Sequence, residues 1–174
     1  TPYAAARKLD PDNAEEAKAW LARMRGIPRY FVEQRANLER GIATGWTHPA
    51  IVVDVAVAIL RKQIARSSAD DPMVDALERF PAMAAQAQDL VEKEIRPAQQ
   101  AMLDFIDGAY RDAARPDLGI SAVPGGREYY DFLLRYYTTT DLSAEEIHAM
   151  GLSEVRRIRA EMDAVIAATG FDGD

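Results

Sequence analysis

The prolines of this sequence fall where helices begin, bend or end, and that placement fixes what the chain can fold into. Pro28, just after Gly26-Ile27, suits the first turn of a helix, where a missing N–H costs nothing. Pro49, Pro72 and Pro81 open further segments, and Arg115-Pro116 closes the series. Between them apolar residues recur at helical spacing. Asp12 or Asn13 caps a first helix running through Trp20 and Met24. Phe31, Leu38 and Ile42 form the stripe of a second, whose end is loosened by Gly41 and Gly45. The segment from Thr47-His48-Pro49 through Arg66 is rich in Val and Ile, so a strand competes. Its length and the proline near its start favour a helix, and apolar residues all round predict the central member of a bundle. Asp70-Asp71-Pro72 opens a short helix to Phe80. Pro81 starts the longest one, to about Ala114. Within it, Pro97 removes one backbone bond and clashes with the carbonyl of Lys93, which predicts a kink or break near Arg96.

Residues 115–126 read as a Gly/Pro loop and residues 127–170 as a helical hairpin. Arg127 to about Tyr137 is a short aromatic helix, followed by a turn from Thr138 to Asp141. Ser143-Ala144-Glu145-Glu146 matches a capping box. Ile147, Met150, Val155, Ile158, Met162 and Val165 then lie on one stripe, and Gly170 is a natural stop. Residues 1–174 therefore form a single helical region: a bundle over 1–114 with a kink near 97, the loop, and the hairpin. The fold class is all-α, an irregular multi-helix bundle. Phe171-Asp172-Gly173-Asp174 reads as a chain interrupted after a helix, so the region is expected to be part of a larger domain.

A chain of 174 residues buries roughly 70% of its unfolded surface and needs no disulfide or structural metal. The net charge of −7 and pI of about 4.9 oppose a nucleic-acid partner. The absence of cysteine excludes disulfides, thiolate chemistry and Cys-based zinc sites, and leaves the compartment open. The first residues carry no basic-then-apolar leader and no initiator Met, which suggests processing or a cut from a longer protein. The run from Ala50 to Leu60 is too short to span a bilayer and contains Asp54.

No complete active site is legible. Glu145-x-x-His148 has the spacing of a helix-borne di-iron pair, but that chemistry needs a second such pair and further glutamates. The other histidine, His48, has Gly45 at the matching position. His-Glu-x-x-His, Gly-x-Ser-x-Gly and phosphate-loop strings are all missing. No catalytic residue and no metal ligand is assigned. Gly125-Gly126-Arg127 has two readings. Two glycines before a helix let a ligand approach its free N–H donors, with Arg127 to take a carboxylate and Tyr129 and Tyr130 to donate hydrogen bonds. The same residues also suit a simple turn followed by aromatic packing. Gln34 and Asp54 interrupt apolar faces and need partners such as a neighbouring Arg.

Taken together, several strings resemble the bacterial family called domain of unknown function 885. They are Gln34…Asn37-Leu38…Gly41-Ile42, Tyr110…Arg115, Pro124-Gly125-Gly126…Tyr129-Tyr130 and Thr138-Thr139-Thr140…Leu142-Ser143…Glu145-Glu146-Ile147-His148…Gly151-Leu152…Glu154-Val155…Ile158…Glu161-Met162. The resemblance is strong from Tyr110 to Met162 and diffuse before it. It implies a longer, mainly helical protein similar to zincin metallopeptidases, with zinc held by a downstream His-Glu and Pro-Gly-His string that this chain lacks. Many members are named as lipoproteins, so the cell envelope and the cytoplasm both remain open. On this resemblance the chain is the helical part upstream of the metal, inactive alone and with no cofactor of its own. Gly125, Gly126, Arg127, Tyr129 and Tyr130 would face a cleft for a peptide or small-molecule substrate, and the rest of the polypeptide would be its partner. A non-enzymatic helical protein-binding module is the alternative, and a metal-binding helical bundle the third reading.

Overall fold

The computed structural model describes residues 2–6 and 9–170, so the reading of Phe171–Asp174 lies outside it. Among the described residues the fold is all-α, with an isolated bridge between Pro49 and Arg115 in place of any strand. The chain divides into two units, residues 1–118 and 119–174.

The first unit holds α1 (Pro2–Ala6), α2 (Ala14–Met24), α3 (Ile27–Thr44), α4 (Ala50–Ile64), α5 (Pro72–Asp75), α6 (Pro81–Leu90) and α7 (Arg96–Phe105). Local chemistry explains their starts. The Asn13 side chain accepts from the Glu16 N–H at the head of α2, and Asp71 accepts from the Met73 N–H at the head of α5. Prolines occupy the first turns of α3, α5, α6 and α7. The short helix expected to reach Phe80 stops at Asp75 and continues as tight turns, with Leu77 N–H donating to the Val74 carbonyl and Phe80 N–H to that of Leu77.

Of the kink or break expected near Arg96, the break does not occur. Helical dihedrals continue through Ile95 and Arg96, and α6 joins α7 by a π turn over Val91–Ile95. That wider turn contains Lys93, whose carbonyl the Pro97 ring would otherwise meet, so the proline is absorbed without ending the helix. A second π turn, Ile106–Tyr110, follows α7.

Two apolar clusters fill the unit. Trp20, Met24, Met73, Leu77, Val91 and Ile95 anchor the first, and Val53, Val57, Met102, Phe105 and Tyr110 the second. Phe31 of α3 packs against both. The Trp20 indole N–H donates to the Met73 carbonyl at 2.9 Å, giving that buried ring its polar partner. The expectation that α4 is the central helix is corrected. It packs on α7 and the turn after it, burying Val53 and Val57, while Ile51, Val52, Val55 and Ile59 stay exposed. Periodicity reports that a helix is apolar all round, not how many faces find a neighbour. Asp54 does take an arginine, Arg111, which also pairs with Asp107.

A buried polar knot ties α1 to this unit. The Tyr3 hydroxyl donates to Asp71 Oδ2 at 3.0 Å and accepts from Gln99 Nε2 at 3.1 Å. Burial is the main cause of a Tyr3 pKa pushed up to about 12, with Asp71 adding to the rise against an opposing Gln99 hydrogen bond. A raised phenol pKa stabilises the fold below the ordinary value near 10, and that contribution is lost as pH climbs toward about 12. Tyr3→Phe is expected to flatten this alkaline loss of stability, measured as Tm against pH from 9 to about 12. An unchanged alkaline limb would reject the assignment.

The second unit contains a 3₁₀ turn, Ile120–Ala122, then α8 (Gly126–Thr138) and α9 (Ala144–Thr169). The capping box forms as expected: Ser143 Oγ accepts from the Glu146 N–H, and the Glu146 carboxylate accepts from the Ser143 N–H. Gly170 closes α9 in the left-handed conformation. None of the residues of α9 is buried.

Candidate functional site

The start of α8 is built by two glycines with different jobs. Gly125 has φ 67° and ψ 11°, the left-handed region, and precedes the helix without any side-chain cap. Gly126 is buried against its own chain: a Cβ there would lie 1.9 Å from the Ile120 carbonyl oxygen and 2.9 Å from Val123 Cγ2. Its N–H donates to the Val123 carbonyl at 2.9 Å. The close approach that the glycine permits is therefore to the 3₁₀ turn.

Arg127, next in line, is engaged. Its Nη2 lies 2.8 Å from Glu145 Oε1 at the head of α9, and its Nε lies 4.0 Å from Asp131. Both partners are exposed, so an incoming carboxylate can displace Glu145 at modest cost. The Glu145 carboxyl is held below the usual carboxylate range, first by its own backbone N–H and then by Arg127. Between α8 and α9 this pair borders a polar cleft of about 220 Å³, which Asp131, Arg135, Asp141 and Ser143 also line.

The structure thus gathers only part of the expected set. Arg127 lines the cleft, and the glycines shape the turn before it. Tyr129 and Tyr130 stand 43% and 40% exposed on α8, outside the residues that line that cleft. Phe132 stacks on Tyr136, which meets Tyr137 edge-on, so the aromatic density of α8 forms a surface band and not a core. The sequence reading missed Asp131, Arg135 and Asp141. Spacing held the signal for two of them, because Asp131 and Arg135 lie one and two helical steps of four from Arg127.

The two histidines belong to different units. His148 lies on α9, and His48 precedes α4 and bonds to Tyr110. Among the described residues no group of three His, Asp or Glu side chains could hold a metal ion, so the residues present do not fit zinc. None of the described helices is long and apolar enough to cross a membrane.

Comparison with known proteins gives the chain a family. Residues 3–174 match DUF885, bacterial proteins of unknown function. No curated protein matches the sequence. Among solved structures the chain is similar to the putative lipoprotein from Colwellia psychrerythraea, with a TM-score of 0.87 and 21% identity. That likeness covers 95% of this chain and 30% of the other, so the chain spans under a third of that protein's length. At this identity the likeness establishes the fold alone. With a family match over almost its whole length, the chain belongs to the DUF885 family of bacterial proteins.

Proposed function

We propose that this chain is the helical scaffold, and one wall of the substrate cleft, of a larger zinc-dependent, peptidase-like hydrolase. The observation that carries the scaffold role is α9. Its 26 residues include none that is buried, yet Met150, Val155, Ile158, Met162 and Val165 form one exposed apolar stripe. A stripe that long is a packing face in want of its partner, and the solved relative has more than three times the matched length. The rest of the same polypeptide is the partner of this reading. Zinc, in the same reading, is held by residues other than those described, and no chemical step is assigned to it.

The wall role belongs to the α8 start, where an uncapped helix N-terminus and Arg127 adjoin a polar cleft. Arg127 would receive a substrate carboxylate in exchange for Glu145, while Tyr129 and Tyr130 would donate hydrogen bonds from the exposed face of α8. In the full-length protein Arg127→Ala is expected to raise KM for peptides by about 10-fold, the scale of one charge-assisted hydrogen bond. Glu145→Gln, which weakens the competitor, is expected to lower it. Steady-state kinetics on a peptide series checks both, and an unchanged KM in both variants removes Arg127 from the site. Equal turnover after Tyr129→Phe and Tyr130→Phe would remove the tyrosines.

The same stripe also favours a second reading, a non-enzymatic module that accepts a partner helix. Met150→Asp with Ile158→Asp separates the two in the full-length protein. A fall in Tm supports internal packing, and an unchanged Tm supports an outward docking face. The third reading, a metal-binding bundle, has no support from the described residues, where metal-holding groups are absent.

A further inference from the structure

Tyr110 and His48 form a unit that the scaffold role does not use. Tyr110 closes the second π turn and is 2% exposed, yet its hydroxyl serves one surface histidine. The oxygen accepts the His48 backbone N–H at 3.0 Å and lies 2.7 Å from His48 Nδ1. The oxygen could accept a second proton as well, but among the described residues the buried hydroxyl's own hydrogen has no acceptor other than Nδ1, so it donates there. That assigns the neutral ring its proton on Nε2. Nε2 has no partner among the described residues. A buried phenol thus orients an exposed imidazole and leaves one donor open, at a π turn, a distortion that recurs at functional sites.

Next to this pair is an apolar pocket of about 140 Å³, lined by Leu38, Val52, Val53, Ala56 and Ile106, with His48 and Tyr110 as its polar edge. No acidic or basic side chain apart from the imidazole lines it. Size and lining together name a ligand class. An enclosed apolar cavity of about 150 Å³ takes one benzene ring, and this pocket, open on one side, offers a seat of similar size for one face of such a ring. A neutral lining rejects charge, because an ion there would lose water without gaining a counter-ion. A single open N–H asks for one acceptor.

We propose that this pocket binds a single six-membered aromatic ring carrying an uncharged oxygen acceptor, such as an amide or ketone. The ring lies against Val53, Ala56 and Ile106, and the oxygen accepts from His48 Nε2. Tyr110 acts as a positioning residue, since it works through His48.

Benzamide and toluene are the probes, followed by ligand-observed saturation-transfer NMR on the full-length protein. Saturable benzamide binding is expected, with toluene about 3- to 10-fold weaker for want of the hydrogen bond. His48→Ala is expected to erase that difference while leaving toluene unchanged. Tyr110→Phe is expected to reduce it. Ala56→Phe fills the pocket and is expected to abolish binding of both probes. Ala56→Leu, the gentler filling, keeps the test intact should the larger ring disturb folding. Saturable binding that survives Ala56→Leu undiminished, or no saturable benzamide binding to the wild-type protein, overturns the site. A His48→Ala effect equal on both probes overturns the hydrogen bond.

Discussion

Gly126→Ala is expected to unfold the start of α8. The added Cβ would sit 1.9 Å from the Ile120 carbonyl oxygen and 2.9 Å from its carbon. Both are backbone atoms, so no rotamer change relieves the clash, and the 3₁₀ turn must move bodily. Ordinary overpacking costs about 1–3 kcal/mol, and a backbone clash this close belongs at the upper end or beyond. Gly125 next door supplies the control. It has φ 67° with open space around its missing Cβ, so Gly125→Ala meets only the left-handed penalty of about 1–2 kcal/mol. Gly125→Asn should cost less still, because Asn tolerates that region. A second control lies in α9, where a Cβ at Gly151 meets nothing within 4 Å. Gly151→Ala should stabilise by about 0.5–1 kcal/mol. Urea unfolding followed by far-UV circular dichroism ranks the variants. If Gly126→Ala proves no worse than Gly125→Ala, the close packing of α8 on the turn is wrong.

This result bears on the proposed cleft wall. Gly125-Gly126 looks in sequence like one flexible motif that lets a ligand approach. In the structure one glycine is needed for its dihedral angles and the other for contact with its own chain. The proposed wall therefore rests on the helix start, Arg127 and the exposed tyrosines, and not on a flexible glycine pair.

Local signals were the legible ones. Asn13, Asp71 and Ser143 cap the helices that follow them because a cap involves neighbours two or three residues away, within reach of any sequence pattern. The same holds for prolines in first turns. That Pro97 does not end its helix was not legible, because its accommodation depends on a π turn, a backbone choice set by packing and invisible in composition. The overestimate of α4 has a related cause: its Ile51 and Val55 carry the apolar pattern of a buried face, but pattern alone does not say whether a neighbour arrives. Tyr110 stood out only through family resemblance, and Arg115 only through that and as the residue before Pro116. Tyr110 orients His48, and Arg115 bonds through Nε to the Thr47 carbonyl and through its backbone to His48 and Ala50. Both therefore secure the entry to α4, across more than sixty residues of chain. No periodicity could have joined them.

The longest-range polar contacts support the last expectation, that Asp71→Ala is among the most damaging changes in the first unit. The Asp71 side chain is 1% exposed and does three things at once. Oδ1 caps α5 through the Met73 N–H at 3.0 Å, Oδ2 accepts from Tyr3 of α1, and Oδ2 lies 3.9 Å from Arg96 Nη2 at the head of α7. Alanine would orphan the Met73 and Tyr3 donors and leave a guanidinium that is 84% buried without its carboxylate, since Arg96 is 16% exposed. Stranding one member of a buried pair costs about 3–5 kcal/mol. Asp71→Asn separates hydrogen bonding from charge. Its amide oxygen can keep the cap, and its NH₂ can donate to the Tyr3 hydroxyl. Tyr3 then needs a new acceptor, and Gln99 Oε1, buried without a partner, becomes one if the Gln99 amide turns over. Asp71→Asn should therefore cost less than Asp71→Ala by about 1–2 kcal/mol, and Gln99→Leu should remove most of that advantage. Urea denaturation of the single and double variants measures the coupling. Equal losses for Asp71→Ala and Asp71→Asn would mean that charge alone holds the knot, and additive losses with Gln99→Leu would mean that the amide takes no part in it.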